Sequence, residues 1–240
     1  MILLIFMFLA AVVPASASTP PETLPEWFIP LRDAIYEQQL NAEQVASIYR
    51  DVTQMANSSL SGHDLNLMLS RAEYMMGRAL QFEGQNREAG ERYDQGIIFA
   101  ERALAISESS EAWQMLAENI SQNCVVKSTA YAMSNGLRVE RHSRSALEIN
   151  PRNATARFLI AARWAYAPSP FHNYNRALQM LKAIPEETDP QKDDLFNIYS
   201  SIGYTYMQQR NNAQARIWFE KSLEIYPTNR YIQELLEGLR

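Results

Sequence analysis

Residues 196–229 read FNIYSSIGYTYMQQRNNAQARIWFEKSLEIYPTN, and this stretch predicts the fold of the whole chain. Counted as a 34-residue unit, it has the small residues Gly203 and Ala215 at positions 8 and 20, and Pro227 at position 32. Apolar or aromatic residues occupy positions 4, 7, 11 and 24, namely Tyr199, Ile202, Tyr206 and Phe219. This spacing predicts two antiparallel helices that approach closely where the small residues lie.

The same spacing is typical of the tetratricopeptide repeat (TPR), and residues 196–229 resemble one such repeat, with Ser222 replacing the alanine usual at position 27. A single hairpin of this kind cannot bury its apolar face alone, so we expect neighbouring hairpins to stack on it. Residues 65–107 supply one neighbour, because Gly77 and Ala89 are separated by the same interval as the small residues of the first unit.

Further hairpins are predicted on both sides of this pair. Residues 111–151 predict one with about ten residues more than a standard unit needs, around 122–136, and residues 153–184 predict another with an interruption at 167–173. Residues 229–239 predict a C-terminal capping helix.

An N-terminal helical hairpin is predicted over residues 26–62, closing one end of the array. Its second helix should begin after Asn41, because Gln44 follows three residues later as in a capping box. We therefore expect the repeat domain to span residues 63–240.

Composition favours an all-α protein. No proline lies between Leu31 and Asn150, which permits long helices there, since proline costs about 3 kcal/mol inside a helix. The 240 residues are 47% hydrophobic and 20% charged, and they contain no alternating β-branched runs bounded by turn residues. The fold class we predict is an α-solenoid of TPR-like hairpins, with some extended helices and the capping helix.

The N-terminus predicts export. Residues 2–13 form an apolar run too short for a normal bilayer span, and Ala15-Ser16-Ala17 follows as a small-x-small cleavage pattern. We expect residues 1–17 to be a signal peptide, residues 18–25 an extended lead-in, and the mature protein to be periplasmic or secreted without a stable membrane span. An uncleaved anchor is the alternative, because the run has no preceding Lys or Arg.

No motif predicts catalysis, a cofactor or a metal site. The net charge of −5 gives no basic surface for nucleic acid. The only cysteine, Cys124, is expected to pack as a small apolar residue. Three histidines lie far apart, and we interpret them as solvated: His63, His142 and His172. An acidic run is interpreted as a solvated loop with favourable charge at a helix start, with a divalent-ion site as the alternative: Glu186, Glu187, Asp189, Asp193 and Asp194.

Binding surfaces are the remaining candidates. The first helices of a TPR array line its concave groove through positions 2, 5, 9, 12 and 13. In residues 196–229 these are polar, aromatic and adaptable: Asn197, Ser200, Tyr204, Met207 and Gln208. They would suit an extended peptide or a helix, or they simply face solvent. They include no Lys or Arg, which disfavours the mode in which TPRs hold an acidic C-terminal carboxylate.

A second candidate surface is aromatic and lies around the interruption at 167–173. It could line a pocket for a small molecule, with the arginine binding a carboxylate, or the rings could belong to the hairpin core. The residues are Phe158, Arg163, Trp164, Tyr166, Phe171 and Tyr174. Arg163 needs a partner if it is buried, and the sequence does not name one.

Three phrases carry a closer resemblance: second helices ending in Ala-Leu-x-Ile, the opening at 150–154, and Ala162-Arg163-Trp164. From Leu65 to the end, the chain resembles a TPR group that contains the regulator of microtubule dynamics family and the T component associated with tripartite ATP-independent periplasmic (TRAP) transporters. The T-component resemblance implies a periplasmic solute-binding protein as partner and a small apolar ligand.

Taken together, these patterns predict a non-catalytic scaffold or adaptor that grips a protein partner in its groove. The alternative is a ligand-binding accessory of a TRAP-type solute-uptake system.

Overall fold

The computed structural model describes residues 24–239, and this range folds into eleven α-helices without a strand. The predicted signal peptide and most of the lead-in lie outside the described residues. The helices are α1 (Ile29–Glu37), α2 (Ala42–Ser59), α3 (Gly62–Phe82), α4 (Asn86–Ile106), α5 (Ser110–Val126), α6 (Thr129–Ile149), α7 (Ala154–Tyr166), α8 (Tyr174–Glu187), α9 (Lys192–Gln208), α10 (Asn212–Ile225) and α11 (Arg230–Gly238).

Consecutive helices pack as hairpins, and the hairpins stack. The pairs α3–α4, α5–α6, α7–α8 and α9–α10 each pack together, and the first helices α3, α5, α7 and α9 also contact one another in that order. The predicted all-α TPR solenoid is therefore confirmed. A row of first helices forms the concave face of such an array.

Small residues let the paired helices approach, as the spacing predicted. Gly203 faces the ring of Phe219, and Gly77 faces the ring of Tyr93. Both rings are fully buried. The two pairs occupy equivalent places in the α9–α10 and α3–α4 hairpins.

Side-chain caps fix where many of the helices begin. Asn41 and Gln44 form the predicted capping box at the start of α2, with bonds of 2.9 and 3.0 Å. Asparagine also caps four later helices, at Asn153, Asn173, Asn211 and Asn229.

The extra residues around 122–136 extend two helices instead of forming a loop. They lengthen α5 and α6, whose connection is confined to residues 127 and 128. The extended end exposes three apolar side chains: Val125, Met133 and Leu137. No helix among residues 24–239 is both long and apolar enough to cross a membrane.

Helix α1 departs from the hairpin pattern. It packs on α2 and α3, and its C-terminal end also meets the last hairpin. Tyr36 stacks on Tyr226 at 5.1 Å between ring centroids and meets Phe196 edge-on at 5.4 Å. The chain thus brings a residue of its first helix against α9 and the end of α10.

Candidate functional site in the concave groove

The groove is lined by equivalent positions of successive first helices. In the repeat register, positions 2, 5 and 9 of α3 are Arg71, Tyr74 and Arg78. The same positions of α5 are Glu111, Gln114 and Glu118. Because α3 and α5 are neighbours, the two arginines of α3 and the two glutamates of α5 belong to adjacent helices of the groove.

A cavity of about 170 Å³ lies in this groove, near the N-terminal ends of α5, α7 and α9. We call it the groove cavity. Five carboxylates and two guanidinium groups line it, together with Leu24 and Tyr36 from the N-terminal segment. The carboxylates belong to Glu111, Glu118, Asp189, Asp193 and Asp194, and the guanidinium groups to Arg71 and Arg152.

Two carboxylates of the acidic run that was expected to form a solvated loop have partners here. Asp189 accepts a 2.5 Å bond from Arg152. Asp194 accepts from the backbone N–H of Gln191, at the start of α9, and from the hydroxyl of Thr155 on α7. Among residues 24–239, no group of His, Cys, Asp and Glu side chains is arranged to hold a metal ion.

Burial changes the protonation of two of these carboxylates. It raises the pKa of Glu118 to about 7, although the amide of Gln114 and the charge of Arg71 act in the opposite direction. Burial also raises the pKa of Asp194, and the adjacent Asp193 raises it further. The charge of the groove cavity therefore changes near neutral pH, since both groups gain protons there more readily than exposed carboxyls do.

Helix α1 occupies part of the groove beside this cavity. Asn197 on α9 donates a 2.9 Å bond to the hydroxyl of Tyr36. Asn229, the N-cap of α11, donates a 2.6 Å bond to the carbonyl oxygen of Tyr36. Asp33 of α1 accepts from the hydroxyl of Tyr226 at 3.0 Å. A helix of the chain itself thus sits where an array of this kind presents its concave surface.

Beyond α1, the groove presents tyrosines that remain partly exposed. Tyr166 on α7 stacks on Tyr204 on α9 with 4.7 Å between ring centroids, and its hydroxyl lies 2.9 Å from that of Ser201. Burial raises the pKa of both tyrosines, and the hydroxyl of Tyr231 on α11 adds a smaller increase. Tyr166 and Tyr231 are 49% and 50% exposed. We call these three residues, with Met207 and Gln208, the tyrosine surface.

Comparison with known proteins identifies the family. The sequence model of the family "Regulator of microtubule dynamics protein 1-3" matches residues 32–192. The chain belongs to this family. A tetratricopeptide repeat model matches residues 196–229, the stretch from which the fold was predicted. Repeats of this type generally mediate protein interactions rather than catalysis.

Other comparisons add little to this assignment. A similar solved structure is that of YrrB, described as a TPR protein with an unusual peptide-binding site. It is 16% identical, the alignment covers 88% of this chain and 90% of YrrB, and the TM-score is 0.39. No curated protein matches the chain significantly.

The five predicted groove residues of this family member divide into two sets. Asn197 is bound to α1, and the hydroxyl of Ser200 is buried without a hydrogen-bond partner. Tyr204, Met207 and Gln208 lie on the tyrosine surface, where Gln208 is exposed and the other two are partly buried.

The six residues of the predicted aromatic pocket do not line the groove cavity. Phe158 packs against the hydrophobic core, and Tyr166 belongs to the tyrosine surface. Phe171 is 68% exposed, and Tyr174 stacks on His172 at 4.4 Å.

Arg163 of this family member has a partner within the chain. Its side chain is 39% exposed and forms an ion pair with Glu140 on α6. It also lies over the ring of Trp164, 5.2 Å from the centroid, while Arg176 lies 4.1 Å from the same centroid. Arg163 therefore has both an ion-pair partner and a cation–π contact within the chain, and the ring of Trp164 contacts two arginines.

Sequence reasoning missed the charged residues of α3 and α5. The signal was present, because the register that places Gly77 at position 8 also places Arg71 and Arg78 at positions 2 and 9. In residues 196–229 no charged residue occupies the groove positions, so that repeat alone gives no indication of the charged groove residues of α3 and α5.

Proposed function

We propose that this family member is a non-catalytic scaffold or adaptor that holds a protein partner against the tyrosine surface of its concave groove. The observation that supports the proposal most directly is the stacked pair Tyr166 and Tyr204, which lies in the groove and is not covered by α1. Tyrosine suits this role because its ring offers a large contact area with few rotatable bonds and its hydroxyl still bonds to polar groups.

The contacts that α1 makes in the groove support the same proposal. Tyr36 enters the groove with its ring between aromatic rings and its hydroxyl and carbonyl groups bound by asparagines. A partner helix or extended segment that carries aromatic and polar groups would find the same chemistry on the adjoining tyrosine surface.

The test is purification of partners from native cells with the full chain, comparing wild type with Tyr204→Ala. Tyr131→Ala on α6 is the matched control, because Tyr131 is also a partly exposed tyrosine but lies outside the groove. We expect Tyr204→Ala to reduce the amount of the main retained protein by about tenfold, the loss of one well-packed contact residue. Equal retention by the two variants would contradict the proposal.

We also propose that the protein is exported, on the basis of the apolar run at residues 2–13 and the small residues that follow. N-terminal sequencing of the protein purified from its native source tests this. A mature chain beginning at Ser18 supports export with cleavage, and an intact Met1 contradicts cleavage.

The alternative, a ligand-binding accessory of a solute-uptake system with a small apolar ligand, gains no support from the groove cavity. Charged side chains line that cavity, and covering them with an apolar ligand would remove them from water without a compensating interaction.

A further inference from the structure

The most exposed apolar side chains lie at one edge of the array. Among residues 24–239, the four largest exposed fractions of large hydrophobic residues are those of Val125 (66%), Met133 (80%), Leu137 (63%) and Phe171 (68%). The first three flank the connection between α5 and α6, and Phe171 lies in the connection between α7 and α8. Connections within hairpins lie at the same edge of a stack, so the four residues share an edge. We call them the hairpin-end surface.

Part of this surface belongs to a stretch of α6 that extends beyond α7. Glu140 on α6 pairs with Arg163 on α7, and this contact sets the two consecutive helices at one level. From there α7 continues for three residues, about 5 Å, whereas α6 runs back eleven residues to its start, about 16 Å. Leu137 and Met133 lie about one and two turns from Glu140 on the same face of this projecting stretch.

The charge of this part of the chain is opposite to that of the whole. Residues 119–185 contain nine of the 22 Lys and Arg residues but only two of the 27 Asp and Glu residues, although the net charge of the chain is −5. The two acids are Glu140 and Glu148, and Glu140 pairs with Arg144 and Arg163. The sequence between Glu118 and Glu140, which includes the α5–α6 connection, has no acid, and neither has the sequence from 149 to 185.

Three arginines of this range form no ion pair with a carboxylate of the described residues. Arg138 donates a 2.9 Å bond to the amide oxygen of Asn135 instead. Arg141 is exposed on α6, four residues after Leu137 and therefore on the same helix face. Arg176 is exposed on α8 and lies over the indole ring of α7, 4.1 Å from its centroid. Positive charge is thus available beside the exposed apolar side chains.

We propose that the hairpin-end surface docks on an anionic membrane surface, with its apolar side chains in the headgroup layer and the neighbouring arginines on lipid phosphates. Exposed apolar residues beside Lys and Arg bind such a surface because apolar burial and attraction to anionic lipids act together. The surface lies at an edge of the array, whereas the tyrosine surface lies in the concave groove. The inference therefore goes beyond the proposed groove function and does not depend on it.

The composition favours a lipid surface over a protein as the occupant. Protein interfaces are usually anchored by aromatic or arginine side chains in fitted pockets. Here three of the four side chains are aliphatic, and they project from two successive hairpin ends. A fluid lipid surface requires no matching shape. A second copy of the chain is disfavoured as well, because a two-fold contact would place the same arginines on both sides.

The test is co-sedimentation of the full chain with vesicles of phosphatidylcholine alone and with vesicles of equal parts phosphatidylcholine and phosphatidylglycerol. The test variant combines Met133→Ser with Leu137→Ser. The control combines Ile106→Ser with Ile149→Ser, because these side chains are 57% and 48% exposed and end α4 and α6 at the opposite edge. Every variant keeps the apolar run at residues 2–13, so a difference between variants reports the hairpin-end surface.

We expect the wild type to bind the vesicles that contain phosphatidylglycerol more tightly than phosphatidylcholine alone, and to bind them less at higher salt. The Met133 and Leu137 double variant should bind about tenfold more weakly or less, because two apolar side chains no longer leave water on docking. The Ile106 and Ile149 double variant should bind as the wild type does. Circular dichroism checks that both are folded.

A charge variant tests the arginines separately. Arg141→Gln should weaken binding to phosphatidylglycerol vesicles about fivefold, the usual contribution of one basic residue near an anionic surface. Arg50→Gln is the control, because Arg50 is also exposed but lies on α2, outside residues 119–185. It should leave binding unchanged.

Several results would overturn the proposal while leaving the groove function intact. These are no binding by the wild type, equal binding to the two kinds of vesicle, and equal binding by the two double variants. A wild-type dimer that the Met133 and Leu137 variant does not form, measured by analytical ultracentrifugation, would assign the surface to a second copy. Loss of a retained protein by that variant, without vesicle binding by the wild type, would assign it to a protein partner.

Discussion

Gly203 shows how a single residue sets the distance between two helices. A β-carbon added there would lie 2.5 Å from the nearest ring carbon of Phe219, and the equivalent atom at Gly77 would lie 2.5 Å from the ring of Tyr93. Both rings are completely buried in a close-packed core, so neither can move away from an added β-carbon without displacing its neighbours.

Gly203→Ala is therefore expected to lower the free energy of unfolding by about 1–3 kcal/mol, the usual cost of overpacking a core. Gly136→Ala is the control, since a β-carbon at that helical position meets no atom within 4 Å. It should raise the free energy of unfolding by about 1 kcal/mol, because alanine is the better helix former. Urea denaturation of both variants measures the two effects, and a loss of the same size at Gly136 would show that the ring contact is not the cause.

At this scale the sequence predicted packing better than it predicted binding. Gly203 and Phe219 were recognisable because sterics at a close helix contact leave few alternatives. Arg163 was expected to need a partner, and the partner is Glu140, 23 positions away, which no local pattern could indicate.

Helix ends are where element-scale prediction succeeded most clearly. The capping box at Asn41 depends on residues three positions apart, so the sequence contains all of its parts. The course of α1 could not be found in the same way. Its contacts with Asn197 and Asn229 span 161 and 193 positions along the chain, and the apolar periodicity of α1 is equally compatible with a simple hairpin.

Two asparagine caps allow the contribution of α1 to be measured. Asn211 caps α10 by accepting from the backbone N–H of Gln214. Asn229 caps α11 in the same way, through Ile232, and in addition donates to the carbonyl oxygen of Tyr36.

Asn211→Ala should therefore cost about 1 kcal/mol of unfolding free energy, the typical value of an N-cap. Asn229→Ala should cost about 1–2 kcal/mol more, because a largely buried hydrogen bond to α1 is lost as well. The two losses of unfolding free energy follow from the denaturant midpoints of the variants, provided that the dependence of the free energy on denaturant concentration is the same in both. Equal losses in the two variants would mean that the bond to Tyr36 contributes nothing.

For the whole molecule, α1 links the first hairpins to the last. Stacked repeats normally contact only their neighbours, and their terminal repeats open independently. Here Tyr36 packs on Phe196 and Tyr226, while α1 also packs on α2 and α3.

Tyr36→Ala is expected to speed amide hydrogen exchange in α10 and α11 by about tenfold or more, although the substituted residue belongs to the first helix. Tyr93→Ala is the comparison, because it removes an equally buried ring that lies inside the α3–α4 hairpin. Its effect should be greatest in α3 and α4. If Tyr36→Ala leaves the exchange of α10 and α11 unchanged relative to wild type, the two ends are not coupled through α1.

The bonds between α1 and the last hairpin also constrain how many repeats the chain can contain. An open array gains or loses a hairpin by duplication or deletion without disturbing the fit of the others. In this chain an added hairpin would carry Asn229 and Tyr226 away from Tyr36, because each repeat shifts and rotates everything that follows it. The number of hairpins is thus fixed by a contact between the two ends of the fold. A chain with one hairpin more or fewer would need a different binding surface for α1.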